Sequence, residues 1–411
     1  MLVFAPLPRD ESETRTPITP AVVKKLVSAG IDVTLEPCLG LKSFIDDAEF
    51  ADAGATFAGE GHHAWEDADV VVTVDPPRAE DVGRMREGGA LVGLLTPTTE
   101  HDVVRAAVGR KVSLLALEFV PRTSRAQSMD VLSSQANLAG YQAVLLGASH
   151  CPKLMPMMIT AAGTLSPARV LVVGVGVAGL QAIATAKRLG AIVEAYDVRP
   201  ATKEQVLSLG ARFIELPGSG AGETAGGYAT EQSDEQRAQQ AELMAKHVVS
   251  ADVVITTAAV FGKAPPLLVP ADVVARMKPG SVLVDLAANA THGRGNCELT
   301  RPGEITTTDN RVTLVGTTNL PGTLPVHASS VYANNVYALL ETLIQQPDTG
   351  NDEGEEQLED SDAASDSGGG SDSGSGPSLK IDLDDDIHLG VLITQGGQIV
   401  NDLVKGMVEQ D

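Results

Sequence analysis

The chain has 411 residues, enough for two domains with substantial cores. Apolar residues make up 43% and aromatics 3%, so those cores must be built from Val, Leu, Ile and Ala, which suits α/β layers. A net charge of −24 without a basic patch excludes nucleic acid and anionic lipid as partners.

The charge is uneven. From Asp348 onward 17 acids face only Lys380 and Lys405, so much of the acidity belongs to the tail. An acid excess persists before it, with 18 Arg against 12 Lys, which suits a high-salt cytoplasm as well as an acidic mesophilic protein. No apolar stretch reaches membrane-spanning length uninterrupted. MLVFAPLPRDESETR lacks a basic region followed by an apolar one, so the expectation is a cytoplasmic protein without a secretory signal. Cys38, Cys151 and Cys297 lie too far apart for a metal-ligand spacing and read as buried or incidental thiols.

In chain order, strands are expected at Leu2–Ala5, Asp32–Glu36, Asp69–Val74, Ala90–Leu95 and Val112–Ala116. Helices at Pro20–Ala29, Glu80–Glu87 and Glu100–Val108 fall between them. This β–α alternation implies a parallel sheet covered on both faces. A longer helical pattern over Ser128–Gly147 suits an interdomain connection.

Ala168–Pro200 follows with the sharpest pattern in the chain. Val170–Val173 is a continuous apolar run, as a doubly buried strand requires. Gly174, Gly176 and Gly179 then stand at G-x-G-x-x-G spacing, with Val177 and Ala178 opening a helix. The first Gly allows the tight turn, the second admits a pyrophosphate and the third brings helix and strand together. The helix N-terminus offers N–H groups to phosphate. Asp197 ends the next strand, 18 residues after Gly179, where an acid can accept the ribose hydroxyls. An ordinary tight β–α turn is the plain alternative, but strand, turn, helix, strand and acid all follow in order. With Val198 directly after the acid the pattern favours NAD over NADP, and Arg199 moderates that preference.

Further strands are expected at Arg212–Leu216, Asp252–Thr257, Ser281–Leu286 and Val312–Gly316, with a helix over Ala328–Gln346. Pro217–Asp234 holds six glycines and reads as a lid, with Tyr228 behind Gly226 and Gly227 on a hinge; an idle insertion is the alternative. Asp348–Ser378 lacks the apolar residues for a core and reads as a 31-residue disordered linker, spanning roughly 30 Å as a coil. Leu379–Leu383 and His388–Thr394 are strand-like and Gln398–Met407 helical.

Residues 120–144, VPRTSRAQSMDVLSSQANLAGYQAV, closely resemble the signature of the NAD(H)-binding component of proton-translocating nicotinamide nucleotide transhydrogenase. ITAAG (159–163), the stretch 173–200, TKEQV (202–206), KPGSVLVDLAA (278–288), GNCE (295–298), PGEI (302–305) and NLPGTLP (319–325) extend it. So do the start around Arg15 and the late segment IDLDDDIHLGVLI.

The resemblance implies two Rossmann-like doubly wound domains with a cleft between them. The first is discontinuous, 1–126 with 323–346, and the second is an NAD(H) domain over 148–322. A connecting helix would occupy 127–147, and the linker 348–378 would lead to a strand segment over 379–411. It implies hydride transfer between NADH and NADP⁺ on a partner subunit, coupled to proton translocation. The implied partners are an NADP(H)-binding subunit, a membrane proton-channel subunit and a second copy in a homodimer. By motif, Arg122, Gln127, Asp130 and Ser133 would position the nicotinamide. Tyr228 would belong to a mobile loop, and Gly227 and Val260 would join the nucleotide contacts. Without the resemblance, Arg122, Gln127 and Asp130 read equally as solvated helix-start residues.

Some stretches depart from the family pattern: VFGKAPP (260–266), the extra residues before GNCE, and Thr317, Asn319 and Thr323 where Tyr, Asp and Arg are usual. Alanine dehydrogenase shares the fold but needs a lysine to hold substrate and a histidine as acid and base. Here Asp75 stands at the lysine position and no histidine stands in GLLTPTTE before His101. A regulatory NAD-binding module without turnover is a third class, which the intact Gln127/Asp130 loop weighs against.

Overall fold

A computed structural model describes residues 1–59, 63–215, 234–259, 264–290, 293–345 and 376–410. Contacts divide the chain into two units, Met1–Val131 with Ser329–Asp411, and Leu132–Ala328. Both are α/β units built on mainly parallel sheets.

The first unit opens with β1 (Leu2–Ala5), α1 (Pro20–Ser28), β2 (Asp32–Leu35), α2 (Asp47–Asp52) and β3 (Thr56–Phe57). Then come α3 (Ala64–Asp67), β4 (Val70–Val72), α4 (Ala79–Val82), β5 (Ala90–Gly93), α5 (His101–Arg110) and β6 (Ser113–Ala116). The expected helix over Glu80–Glu87 is cut to one turn because Gly83 already closes it, its N–H on the Ala79 carbonyl. Parallel pairs run in the order β6-β5-β4-β1-β2-β3. Two apolar layers enclose the sheet. Val22, Leu26, Tyr332 and Val336 pack with Val3, Val33 and Val70 on one face. Val103, Val104 and Val404 pack with Phe4, Val71 and Leu91 on the other.

The C-terminal segment enlarges this sheet. Leu392–Gln395 pairs antiparallel with β6, and Gln398–Ile399 pairs with Leu392–Gln395, giving eight strands among the described residues. Thr394 fills the register irregularity, its hydroxyl donating to the Val112 carbonyl and accepting from the Leu114 N–H. The strand expected over His388–Thr394 starts as a helix, Asp386–Val391, and Gln398–Met407 divides into a short strand and the helix Asp402–Val408. Of the expected linker, 348–375 lie outside the described residues, while Ser378–Leu379 pairs with Ile344–Gln345.

The second unit takes most of α6 (Val131–His150), then the hairpin β7 (Met158–Thr160) and β8 (Gly163–Leu165), which the sequence did not announce. Next come β9 (Arg169–Val173), α7 (Val177–Arg188), β10 (Ile192–Tyr196), α8 (Thr202–Ser208) and β11 (Arg212–Phe213). The unit continues with α9 (Asp234–Ser250), β12 (Val253–Thr256), α10 (Ala271–Arg276), β13 (Val282–Asp285), β14 (Ile305–Thr307) and β15 (Thr313–Val315). The order is β11-β10-β9-β12-β13-β15-β14, parallel but for β14. Alternate β9 residues face opposite layers: Val170 and Val172 meet Ala182, Ile183 and Val144, and Leu171 and Val173 meet Met244, Val248 and Val273. Strand order reverses between β9 and β12, so the crevice at their carboxyl ends is the expected ligand position of such a sheet.

Candidate functional site

Three glycines at the end of β9 do three different jobs. Gly174 has φ +99°, a left-handed conformation that other residues resist, and a Cβ there would lie 2.4 Å from Thr257 Oγ1. Thr257 donates to the Gly174 carbonyl at 3.0 Å, tying the ends of β9 and β12 together. Gly179 sits one turn into α7, where a Cβ would be 2.0 Å from the Gly174 carbonyl oxygen. Gly176, the N-cap of α7, has open space: an added Cβ would meet nothing within 4 Å. The cradle is closed where the protein packs and open where a phosphate would approach, so these residues fit a dinucleotide. Val177 and Ala178 continue as the first turn of α7, whose leading N–H groups lack intrahelical partners by geometry. Gly140 of α6 lets that helix touch this turn, since a Cβ there would be 2.1 Å from the Ala178 carbonyl oxygen.

Asp197 follows β10 and reaches back to the turn, as the spacing predicts. Its Oδ2 accepts the Val175 N–H at 2.7 Å and its Oδ1 the Arg199 N–H at 2.8 Å. Arg199 also clamps both oxygens, Nε to Oδ1 and Nη2 to Oδ2, each at 2.9 Å. Burial alone would raise the Asp197 carboxyl; the Arg199 side chain and the two backbone N–H groups outweigh it and lower it. Asp197 is therefore an ionised carboxylate already partnered by Arg199. Ribose hydroxyls can reach it only if the exposed guanidinium yields or shares. Val198 beside it is 74% exposed.

Two cavities flank the turn within this unit. One of about 490 Å³ is bounded by Val173, Tyr196, Val198, Met244, Leu268 and Val273. The other, about 260 Å³, lies among Gln135, Ala139, Ala178, Thr257, Thr318 and Leu320. Their separation by the glycine turn suits the two ends of an extended dinucleotide. Behind them Asp285 is fully buried, accepting from the Thr256 hydroxyl and the Ala287 and Cys297 N–H groups. Asn296 accepts the Ala258 N–H and donates to the Ala258 and Pro266 carbonyls. These two side chains shape the loop after β12, and sequence reasoning assigned neither. An acid closing the buried strand VLVD was the available signal.

In the first unit, Arg122, Gln127 and Asp130 share the loop after the 3₁₀ turn Leu117–Phe119, with Gln127 opening a second 3₁₀ turn, Gln127–Met129. Arg122 and Gln127 are exposed and Asp130 half-buried. Ser133 is half-buried on α6 and is counted with the second unit. Upstream of this loop, Glu118 accepts the Leu95 and Thr96 N–H groups. Burial pushes its carboxyl up to about 7, against those hydrogen bonds. Asp75 accepts the Arg9 and Asp10 N–H groups, so the group at the position of a substrate lysine is an acid engaged with backbone. Gly227, Tyr228, Val260 and the expected lid over 217–233 lie outside the described residues.

Family models of the alanine dehydrogenase/PNT N-terminal and C-terminal domains match residues 7–139 and 143–364. The chain belongs to the alanine dehydrogenase/PNT family. The first of the chains that make up NAD(P) transhydrogenase subunit alpha in Rhodospirillum rubrum is 48% identical over 347 residues, covering 83% of this chain and 89% of that protein. The crystal structure of transhydrogenase from Sinorhizobium meliloti superposes with a TM-score of 0.80 at 38% identity, covering 97% of this chain and 100% of that one. Alanine dehydrogenase of Mycobacterium tuberculosis is 31% identical over 343 residues, covering 81% of this chain and 84% of that protein. Within the family the chain thus sides with the transhydrogenase alpha subunits. Among the described residues no helix is long and apolar enough to cross a membrane.

Proposed function

We propose that this chain is the NAD(H)-binding subunit of a proton-translocating transhydrogenase. Hydride passes directly between NADH on this chain and NADP⁺ on a partner subunit, and a further subunit forms the proton channel. The observation that carries the reading is the turn after β9, open only at Gly176, beside an ionised Asp197. Gly174 and Gly179 shape the turn, and Val177 and Ala178 present helix N–H groups to the pyrophosphate. Asp197, Val198 and Arg199 border the ribose end, with Gly227, Tyr228 and Val260 assigned to the same nucleotide.

When bound, the nicotinamide supplies a C4 carbon that gives or takes hydride, and no proton moves in that step. The protein's task is therefore to orient and to exclude water. We assign orientation to Arg122, Gln127, Asp130 and Ser133, none of which needs to act as acid or base. The engagement of Asp75 with backbone argues against alanine as substrate.

In this reading the protein is cytoplasmic, held at the membrane through its partners, and homodimeric. The β7–β8 hairpin offers a surface for the second copy: its edges are unpaired among the described residues, and Met157, Met158, Ile159 and Leu165 are exposed. An antiparallel edge can pair with itself across a two-fold axis. The reading is tested by titrating the full chain with NADH and NADPH by nucleotide fluorescence while assaying alanine-dependent NAD reduction. Saturable NADH binding, tighter than NADPH, with no alanine turnover is expected. Alanine turnover would overturn it.

A further inference from the structure

The loop that carries Arg122, Gln127 and Asp130 is fastened to a stretch of the chain more than 250 residues away. Arg125, in the middle of that loop, forms a fork-to-fork pair with Asp385, Nη1 to Oδ2 at 2.7 Å and Nη2 to Oδ1 at 2.8 Å. Its Nη2 also donates to Asp386. Asp385 is itself fixed, because its Oδ1 caps the helix Asp386–Val391 by accepting the Ile387 and His388 N–H groups. One turn on, Gly390 lies against Pro121 so closely that a Cβ there would be 3.0 Å from Pro121 Cδ. The helix is anchored from below by His388, which is buried: its Nδ1 accepts the Asp382 N–H and its Nε2 meets Thr342 Oγ1 at 3.0 Å.

We propose that the helix Asp386–Val391 is a clasp, in which Asp385 and Asp386 hold Arg125 and so position the loop bearing Arg122, Gln127 and Asp130. The role of those three residues rests on the function proposed above; the clasp itself does not. Energetics favour orientation over stability. The Arg125 side chain is 55% exposed, and exposed ion pairs contribute little to folding. A planar guanidinium gripped at both carboxylate oxygens nonetheless fixes direction as well as distance. Both ends of the loop are otherwise tied by apolar packing, since Ala126 and Met129 are buried while Arg122, Thr123, Ser124 and Gln127 are exposed. The clasp grips the exposed stretch, where packing gives no restraint. Arg125, Asp385 and Asp386 are thus positioning residues, acting through the loop.

The test compares the wild-type full chain with Arg125→Ala, Arg125→Lys and the double variant Asp385→Asn/Asp386→Asn, which keeps a capping side chain at 385. Amide hydrogen exchange between residues 122 and 130 is measured alongside hydride transfer to an NADP⁺ analogue on an added NADP(H)-binding component. The expected result is exchange faster by about tenfold or more in Arg125→Ala and the double variant. The transfer kcat should fall about tenfold or more, NADH affinity should stay within about twofold, and Arg125→Lys should lie between. Unchanged exchange, or faster exchange with wild-type transfer rates, overturns the clasp as a positioning device. A wild type that transfers no hydride overturns the functional reading instead, and the exchange data still decide whether the helix holds the loop.

Discussion

Gly176 and Gly179 stand three residues apart in one turn and answer to different constraints. Gly179 is closed in by the Gly174 carbonyl, so Gly179→Ala must displace backbone and should cost about 1–3 kcal/mol of stability, read from denaturant unfolding. Gly176 has φ −82° and empty space, so Gly176→Ala should fold with an unchanged midpoint yet bind NADH about tenfold more weakly. Equal effects of the two on folding and binding would mean that the open space does not face the nucleotide. Spacing alone located these glycines and Asp197. It could not show that Arg199 occupies both Asp197 oxygens, because that depends on a side-chain rotamer rather than on spacing. Asp285 and Asn296 were illegible for a related reason: their partners are backbone groups of the loop after β12, which only the fold brings near.

At the scale of elements, parallel strands were legible because their apolar runs are short and continuous, as in Val70–Val72 and Val253–Val254. The helix Asp386–Val391 was misread as strand since Ile387, Leu389 and Val391 alternate. What decides is Asp385, whose carboxylate captures two N–H groups and starts a helical turn. The hairpin Met158–Leu165 escaped notice because it is exposed on both faces and so carries no period-two burial pattern. Ile159, 74% exposed, is its most prominent apolar side chain. Ile159→Asp should leave the fold intact and shift sedimentation from dimer to monomer; a wild-type chain that is already monomeric would refute the proposed surface. Glu118 gives a pH signature. Its native carboxyl titrates near 7 whereas an unfolded one titrates near 4.5, so the native state holds more protons between these values. Stability is therefore lost as pH rises through that window. Glu118→Gln removes this loss, and its melting temperature should pull ahead of wild type between about pH 5 and pH 8. A constant difference across that range would contradict the assignment.

For the whole molecule, alternation of strands and helices predicted two α/β units, and the contact pattern divides the chain at Val131/Leu132 and Ala328/Ser329. What sequence could not convey is how far the ends of the chain cooperate. Residues 376–410 complete the first unit's sheet, with Thr394 plugging the register irregularity beside β6 and Asp385 gripping Arg125. Such pairings across more than 250 residues leave no local pattern. Function follows the same division of scale. The second unit supplies the dinucleotide turn, the first supplies Arg122, Gln127 and Asp130, and the acceptor nucleotide is assigned to another subunit. The most direct measurement is single-turnover hydride transfer from NADH on this chain to an NADP⁺ analogue, with the purified NADP(H)-binding component present and then omitted. The account predicts rapid transfer only when that component is present. Transfer without it, or none with it while NADH remains bound, would contradict the account.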